Sequence, residues 1–237
     1  MKNNDGTGPE FDRYADSYQA LHKKSVDFSG EGLDYFARYK IEDVFALARR
    51  GKYKNDISIL DYGAGTGASV PYWKQYFGGA DLVAADVSPE SLAKLKESYP
   101  DCKTLLLELG KIPAPDESFD IVFAACVFHH IDHAEHVAVM KEIARVLKKG
   151  GIFVIFEHNP LNPLTLYTVN RCEFDINAKL LNFWQTRKRM RIAGLKKSIT
   201  RFRIFFPGHL SFLRPLEKYM TWIPFGGQYY VCGTREK

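Results

Sequence analysis

Residues 59–67, ILDYGAGTG, are the first stretch of the chain whose residue types and spacing point to chemistry. Gly63, Gly65 and Gly67 carry no Cβ, so the backbone can turn sharply there and approach a ligand closely. Ala64 and Thr66 fill the positions between them. Asp61 stands two residues ahead, at the end of an apolar run. A helix is expected just after the loop, with its unbonded N–H groups facing the same ligand. Such a loop fits two ligands. As Gly63, Gly65 and Ala68 it loosely matches the dinucleotide fingerprint, which places a pyrophosphate at this turn. Asp61 would repel that diphosphate and attract a cationic ligand. At roughly 4 Å and an effective dielectric near 20, the sign is worth about 4 kcal/mol either way.

Asp86 closes the next apolar run, LVAAD, and is followed by Val87 and Ser88. Its two oxygens can accept from both hydroxyls of a ribose, at about 1.5–3 kcal/mol for each bond to a charged group. Both candidate ligands contain a ribose, so Asp86 does not separate them. Further on come His129, His130, His133 and His136. Their spacing across a strand end, a turn and a helix suits no closed zinc geometry, and no metal site is expected. His130 follows the fourth apolar run and is a candidate general base or acceptor-positioning group; the bland alternative is a cap or packing role. Glu157, His158 and Asn159 follow the fifth run. A carboxylate beside a histidine can tune a base near neutral pH. Alternatively, Glu157 caps a helix or binds a backbone group.

These residues need a frame. Residues 10–24 and 30–50 are expected to be helices. In the second, Leu33, Phe36, Ala37, Ile41, Val44, Phe45 and Ala48 recur at helical spacing and Gly51 stops it. Strands are expected at 57–60, 82–86, 103–108, 119–128 and 151–157. Helices alternate with them over 69–78, from the Ser88 cap and Pro89, and over 134–148 up to Gly150-Gly151. This alternation implies a parallel sheet with helices on both faces, whose ligands bind beyond the carboxyl ends of the strands. Residues 161–194 look helical with a kink at 172–175. Late strands are expected over 198–207 and 228–235, with a helix and loop over 211–227.

The chain has 237 residues, 46% hydrophobic and 26% charged. That is ordinary globular composition, and its apolar runs are too short to span a bilayer. The four cysteines, Cys102, Cys126, Cys172 and Cys232, form no CxxC pair. This argues against a zinc site or a disulfide framework and suits a reducing cytoplasm. Cys126, inside an apolar run, reads as a small buried hydrophobe. The polar start MKNNDGTGPE has no secretory h-region.

The ordered segments ILDYGAGTG, VAADVSPESL, ELGKIPAPDESFDIVFAACVFHHI and RVLKKGGIFVIFEHNP resemble the class I S-adenosylmethionine-dependent methyltransferases. FDRYADSY near the start and the closing GGQYYVCGTR also fit. The resemblance implies a Rossmann-like α/β fold with a mostly parallel seven-stranded sheet. It implies one methyltransferase domain over 1–237: a helical lid at 10–50, a cofactor-binding core at 57–158, elaborations over the substrate side at 159–227 and a last strand at 228–235. It also implies S-adenosylmethionine as cofactor, with S-adenosylhomocysteine as product. Asp61 and Gly63 to Gly67 would then line the methionine end, and Asp86 would hold the ribose, with Val87 and Ser88 beside the adenine. Glu108 and Leu109 stand where the family commonly has an Asp that accepts from the adenine amine. Ala125 and Cys126 would close over the cofactor, and Tyr14, Tyr18 and Lys40 match a lid. FEHNPLNPLTLYTVNRCEFD resembles a bacterial branch for which small-molecule or glycan-type acceptors are expected.

Positive charge concentrates in FWQTRKRMR (183–191) and in Lys196, Lys197, Arg201 and Arg203, giving the chain a net charge of +5. Three readings compete. One is a solvated helix face, one a site for an anionic or lipid-linked acceptor, and one contact with an anionic membrane, with Phe183, Trp184, Trp222, Phe225, Tyr229 and Tyr230 at the interface. Nucleic acid is disfavoured, because no reader motif accompanies the charge. A nicotinamide dehydrogenase and a cofactor-binding regulator or membrane-surface adaptor stand as rival functions.

Overall fold

The computed structural model describes residues 31–50, 53, 56–108, 110–172 and 178–236. The expected helix at 10–24, together with Tyr14, Tyr18, Gly51 and Leu109, lies outside the described residues. In chain order the elements are α1 (Leu33–Arg50), β1 (Ser58–Tyr62), α2 (Val70–Tyr76), β2 (Asp81–Asp86), α3 (Pro89–Ser98), β3 (Lys103–Leu106) and β4 (Phe119–Ala125). A 3₁₀ turn at Phe128–His130 follows. Then come α4 (His136–Val146), β5 (Leu147–His158), α5 (Pro163–Val169), α6 (Phe183–Ile192), β6 (Leu195–Arg203), a second 3₁₀ segment (Gly208–Leu216), α7 (Glu217–Met220) and β7 (Gln228–Arg235).

The seven strands form one sheet in the order β3-β2-β1-β4-β5-β7-β6. β7 runs antiparallel to both neighbours, and every other pairing is parallel. The central strands β1, β4 and β5 are largely apolar because both of their faces are covered. Leu60, Val122, Phe153 and Val231 point to one side, where Val139, Met140 and Ile143 of α4 and Met190 of α6 meet them. Ile59, Phe123, Val154 and Tyr230 point to the other, against Ile41 and Val44 of α1 and Trp73 of α2.

Helix starts follow their caps. Ser88 Oγ accepts from Ser91 N at 3.1 Å with Pro89 in the first turn. Asn162 caps α5, and Asn182 with Gln185 closes a capping box on α6.

Several boundaries differ from expectation. β4 stops at Ala125 rather than 128, because Cys126 takes a left-handed backbone (φ +58°) and the chain turns into the 3₁₀ segment. α4 ends at Val146, not at Gly150-Gly151. Leu147 is fully buried and pairs with Phe119, so sheet pairing outweighs the glycine stop signal. Arg235 Nη1 donates to the carbonyls of Arg145 and Leu147, taking over acceptors at that helix end. Of the long helical stretch 161–194, only α5 and α6 are helical among the described residues. β6 starts earlier than expected, at Leu195, and ends at Arg203. The expected 103–108 strand ends at Leu106, and the expected helix in 211–227 shrinks to α7 beside the 3₁₀ segment.

Candidate active site

The glycine loop leaves β1 at the carboxyl edge of the sheet. Gly63 and Ala64 N–H both donate to Ala85 O of β2, at 2.8 and 3.0 Å, which folds the loop over that strand's end. Gly63 has φ +77°, and a Cβ there would lie 2.4 Å from Val127 Cγ2, so only glycine fits. Gly65 also has positive φ, +54°, but a Cβ there would meet no atom within 4 Å. Its Cα faces open space, which is the room a bound cofactor needs. α2 begins at Val70, three residues past Gly67, after a run of turns. Thr66 lies half-buried in that run.

Two carboxylates organise the loop. Asp86 is buried; its Oδ2 accepts from Gly65 N at 2.8 Å and its Oδ1 from Ser88 N at 3.0 Å. A carboxylate can accept through both oxygens, the chemistry that ribose hydroxyls require. Asp61 is 2% exposed, and its Oδ2 accepts from Ser69 Oγ and from Trp73 Nε1, the latter at 2.9 Å. Burial pushes the Asp61 carboxyl up to about 6, against the opposing pull of the Ser69 and Trp73 bonds. A cation bound nearby would restore its charge. Val87 is half-buried against the core, and Glu108 is exposed just beyond β3, where Leu107 N bonds to Asp86 O at 2.8 Å.

The second cluster lies past β4 and β5. Cys126 is only half-buried, which corrects its reading as a core residue. Its Sγ is 3.5 Å from Lys40 Nζ of α1 and 3.9 Å from Gln228 Nε2. Burial acts to raise its thiol, but the Lys40 ammonium and the His158 imidazole outweigh that and bring it to about 7. Gln228 opens β7 directly opposite His158, 3.5 Å from its Nδ1, and accepts from the Tyr39 hydroxyl. The structure thus joins Lys40, Cys126 and His158, with Ala125 half-buried beside them.

Glu157 does not pair with its neighbour His158. Fully buried, it accepts from Phe128 N at 2.8 Å through Oε1 and meets His129 Nδ1 at 2.6 Å through Oε2. The His129 ring centroid is 4.1 Å from that of His130 and 5.3 Å from that of His158. His136 belongs elsewhere. It bonds Ile131 O and receives Arg189 Nη1 at 2.9 Å, and burial depresses its imidazole to about 4, so it is a neutral link between α4 and α6. Among the described residues no group of His, Cys, Asp and Glu is arranged to hold a metal ion.

Sequence reasoning missed Gln228, Tyr39, Ser69 and Trp73 as parts of this region, and named His129 without its partner Glu157. Gln228 had a signal: a polar residue opening an otherwise apolar strand. Two further segments flank the histidines. Asn159, fully buried, donates to Pro224 O and Gly226 O, while Lys179 N donates to His129 O at 2.9 Å.

A seven-stranded sheet with β7 reversed, a glycine loop after β1 and an acid after β2 define a class I methyltransferase fold. Residues 60–155 match the family described as Methyltransferase domain. An uncharacterized methyltransferase of Mycobacterium tuberculosis is 39% identical over 93 residues, covering 39% of this chain and 36% of that protein. The demethylmenaquinone methyltransferase of Chlorobaculum tepidum is 30% identical over 154 residues, covering 62% of this chain and 57% of that one. The chain therefore spans between about a third and three-fifths of the length of these relatives. A SAM-dependent methyltransferase from Thermotoga maritima, described as a possible histamine N-methyltransferase, superposes with a TM-score of 0.65 at 18% identity, covering 95% and 98% of the two chains. Residues 60–155 thus carry a methyltransferase domain, and the sheet that holds them has the class I methyltransferase fold.

Proposed function

We propose that the protein transfers the methyl group of S-adenosylmethionine to a small-molecule or glycan-precursor acceptor. The observation that carries this reading is the pairing of Asp86 with Gly65 N beside a loop position open to a ligand. Asp61 and the loop from Gly63 through Gly67 hold the methionine end. Asp86 takes the ribose, with Val87, Ser88 and Glu108 toward the adenine. Lys40, Ala125 and Cys126 bound the same space from the far side. The cofactor supplies an electrophilic methyl on a sulfonium, so the chain's own task is largely alignment, which can contribute roughly 7–11 kcal/mol.

A hydroxyl acceptor must also lose a proton. His130 and His158, both half-buried at the rim, are the bases we assign to that step. Glu157 acts through His129, fixing that ring and thereby the two imidazoles packed around it. It is a positioning residue. The segments tied to Asn159 and His129 flank this rim, which supports acceptor selection by residues 159–227. The demethylmenaquinone relative supports a small-molecule acceptor.

A screen with isotopically labelled methyl donor and candidate small molecules tests this reading, with products followed by mass spectrometry. Label should pass to one acceptor class and be lost in Asp86→Ala. Label transfer only to RNA or protein would overturn the acceptor class.

A further inference from the structure

Five large apolar side chains, Phe212, Leu216, Tyr219, Trp222 and Phe225, are between 49% and 73% exposed. They lie on the 3₁₀ segment, α7 and the turn after it. Phe212 and Leu216 stand on the 3₁₀ segment and Tyr219 on α7, which follows it directly. The segment is anchored from beneath: buried Glu217 accepts from Phe205 N and Phe206 N at 2.9 and 3.0 Å. Trp222 is held in place by a 3.0 Å bond from its Nε1 to Tyr219 O.

Beside these side chains is a cavity of about 180 Å³ between α1 and β6, lined by Arg50, Arg201, Arg203, Lys218 and a single carboxylate, Asp43. Arg203 Nε lies 3.0 Å from Asp43 Oδ2, so that pair is internally balanced. Four cations against one carboxylate leave an excess of three positive charges. Lys218 and Thr221 line the cavity, while their chain neighbours Tyr219 and Trp222 stand exposed. Cationic cavity and aromatic face are therefore contiguous.

Aromatic rings with apolar bodies and polar edges favour the bilayer–water interface, and adjacent cations favour anionic headgroups. We infer that this face docks on an anionic phospholipid bilayer. Phe212, Tyr219, Trp222 and Phe225 enter the interfacial zone, and Arg50, Arg201 and Lys218 receive a lipid phosphate. The exposed cations of α6 that the sequence brought forward are not needed; Tyr229 and Tyr230 are core residues, and Phe183 packs half-buried against the core.

The test is co-sedimentation of the full chain with phosphatidylcholine vesicles, with and without phosphatidylglycerol, across a salt series. Binding should require phosphatidylglycerol and weaken with salt. Lys218→Ala should lower partitioning about fivefold. Trp222→Ser combined with Phe212→Ser should lower it roughly tenfold or more. Both replaced side chains are over 70% exposed, so the thermal midpoint should stay at the wild-type value. Absence of binding to phosphatidylglycerol vesicles, or binding indifferent to all three substitutions, would overturn the inference. So would light scattering that shows a dimer dispersed by the aromatic variant, since the face would then join two copies. None of these readouts depends on methyl transfer.

Discussion

His129 Nδ1 lies 2.6 Å from Glu157 Oε2, with both side chains at most 2% exposed. Burial acts to raise the Glu157 carboxyl, but the imidazoles of His129 and His158 and the Phe128 N–H outweigh it and hold it below its ordinary value. Breaking a buried pair by deleting one partner costs about 3–5 kcal/mol. Glu157→Ala should therefore lower the thermal midpoint by roughly 6–20 °C in a chain of this size, as calorimetry would record. A depressed folded pKa gives stability that is present above the unfolded value and lost as pH falls through the folded one. The wild type should thus lose this contribution only in acid, below about 4.3, and the variant should show a flatter acid limb.

Asp61 behaves in the opposite sense. Its folded carboxyl sits at about 6, above the unfolded value. The apo fold therefore gains stability from this group as pH falls from about 6 toward about 4. The ammonium at the methionine end of the ligand favours the ionised form, so affinity for S-adenosylhomocysteine should weaken up to roughly tenfold per pH unit below 6. Titration calorimetry at a series of pH values would record this, and Asp61→Asn should abolish the dependence while binding more weakly throughout. A pH-independent affinity in the wild type would detach Asp61 from the ligand.

Gly63 and Gly65 should separate folding from binding. Gly63→Ala drives a Cβ to 2.4 Å from Val127 Cγ2 in a left-handed turn, and a loss of several kcal/mol is expected. Gly65→Ala meets nothing within 4 Å, so only the left-handed cost of about 1–2 kcal/mol applies. Its methyl enters the ligand space. A near-native melt with affinity for S-adenosylhomocysteine reduced by more than about tenfold is the expected result for Gly65→Ala, equivalent to about 1.4 kcal/mol.

The glycine loop, the two strand-end acids and the strand–helix alternation were legible because each rests on local chemistry: a missing Cβ, a charge at a strand end, a period of two or 3.6. The histidine arrangement was not. Glu157 and His129 are 28 residues apart in sequence, and only the parallel pairing of β4 with β5 brings them together. Cys126 was misread because an apolar run predicts burial but not a left-handed turn beside Lys40. The end of α4 was misplaced because the pairing of Leu147 with Phe119 is long-range and outweighed a local glycine signal.

Cys126 offers a chemical probe of the same site. A thiol near 7 is substantially thiolate at neutral pH, whereas burial pushes Cys232 up to about 12. Iodoacetamide should label Cys126 first, as peptide mass mapping would show. Saturating S-adenosylhomocysteine should slow that labelling, and Lys40→Met should slow it by raising the thiol.

The most direct measurement is calorimetric titration of the wild type and Asp86→Ala with S-adenosylhomocysteine, with NADH run alongside. We expect micromolar or tighter binding of S-adenosylhomocysteine to the wild type and at least about a tenfold loss in the variant, since a hydrogen bond to a charged group contributes about 1.5–3 kcal/mol. We expect no heat from NADH. Binding of NADH in its place, or equal affinity in both proteins, would contradict the central assignment.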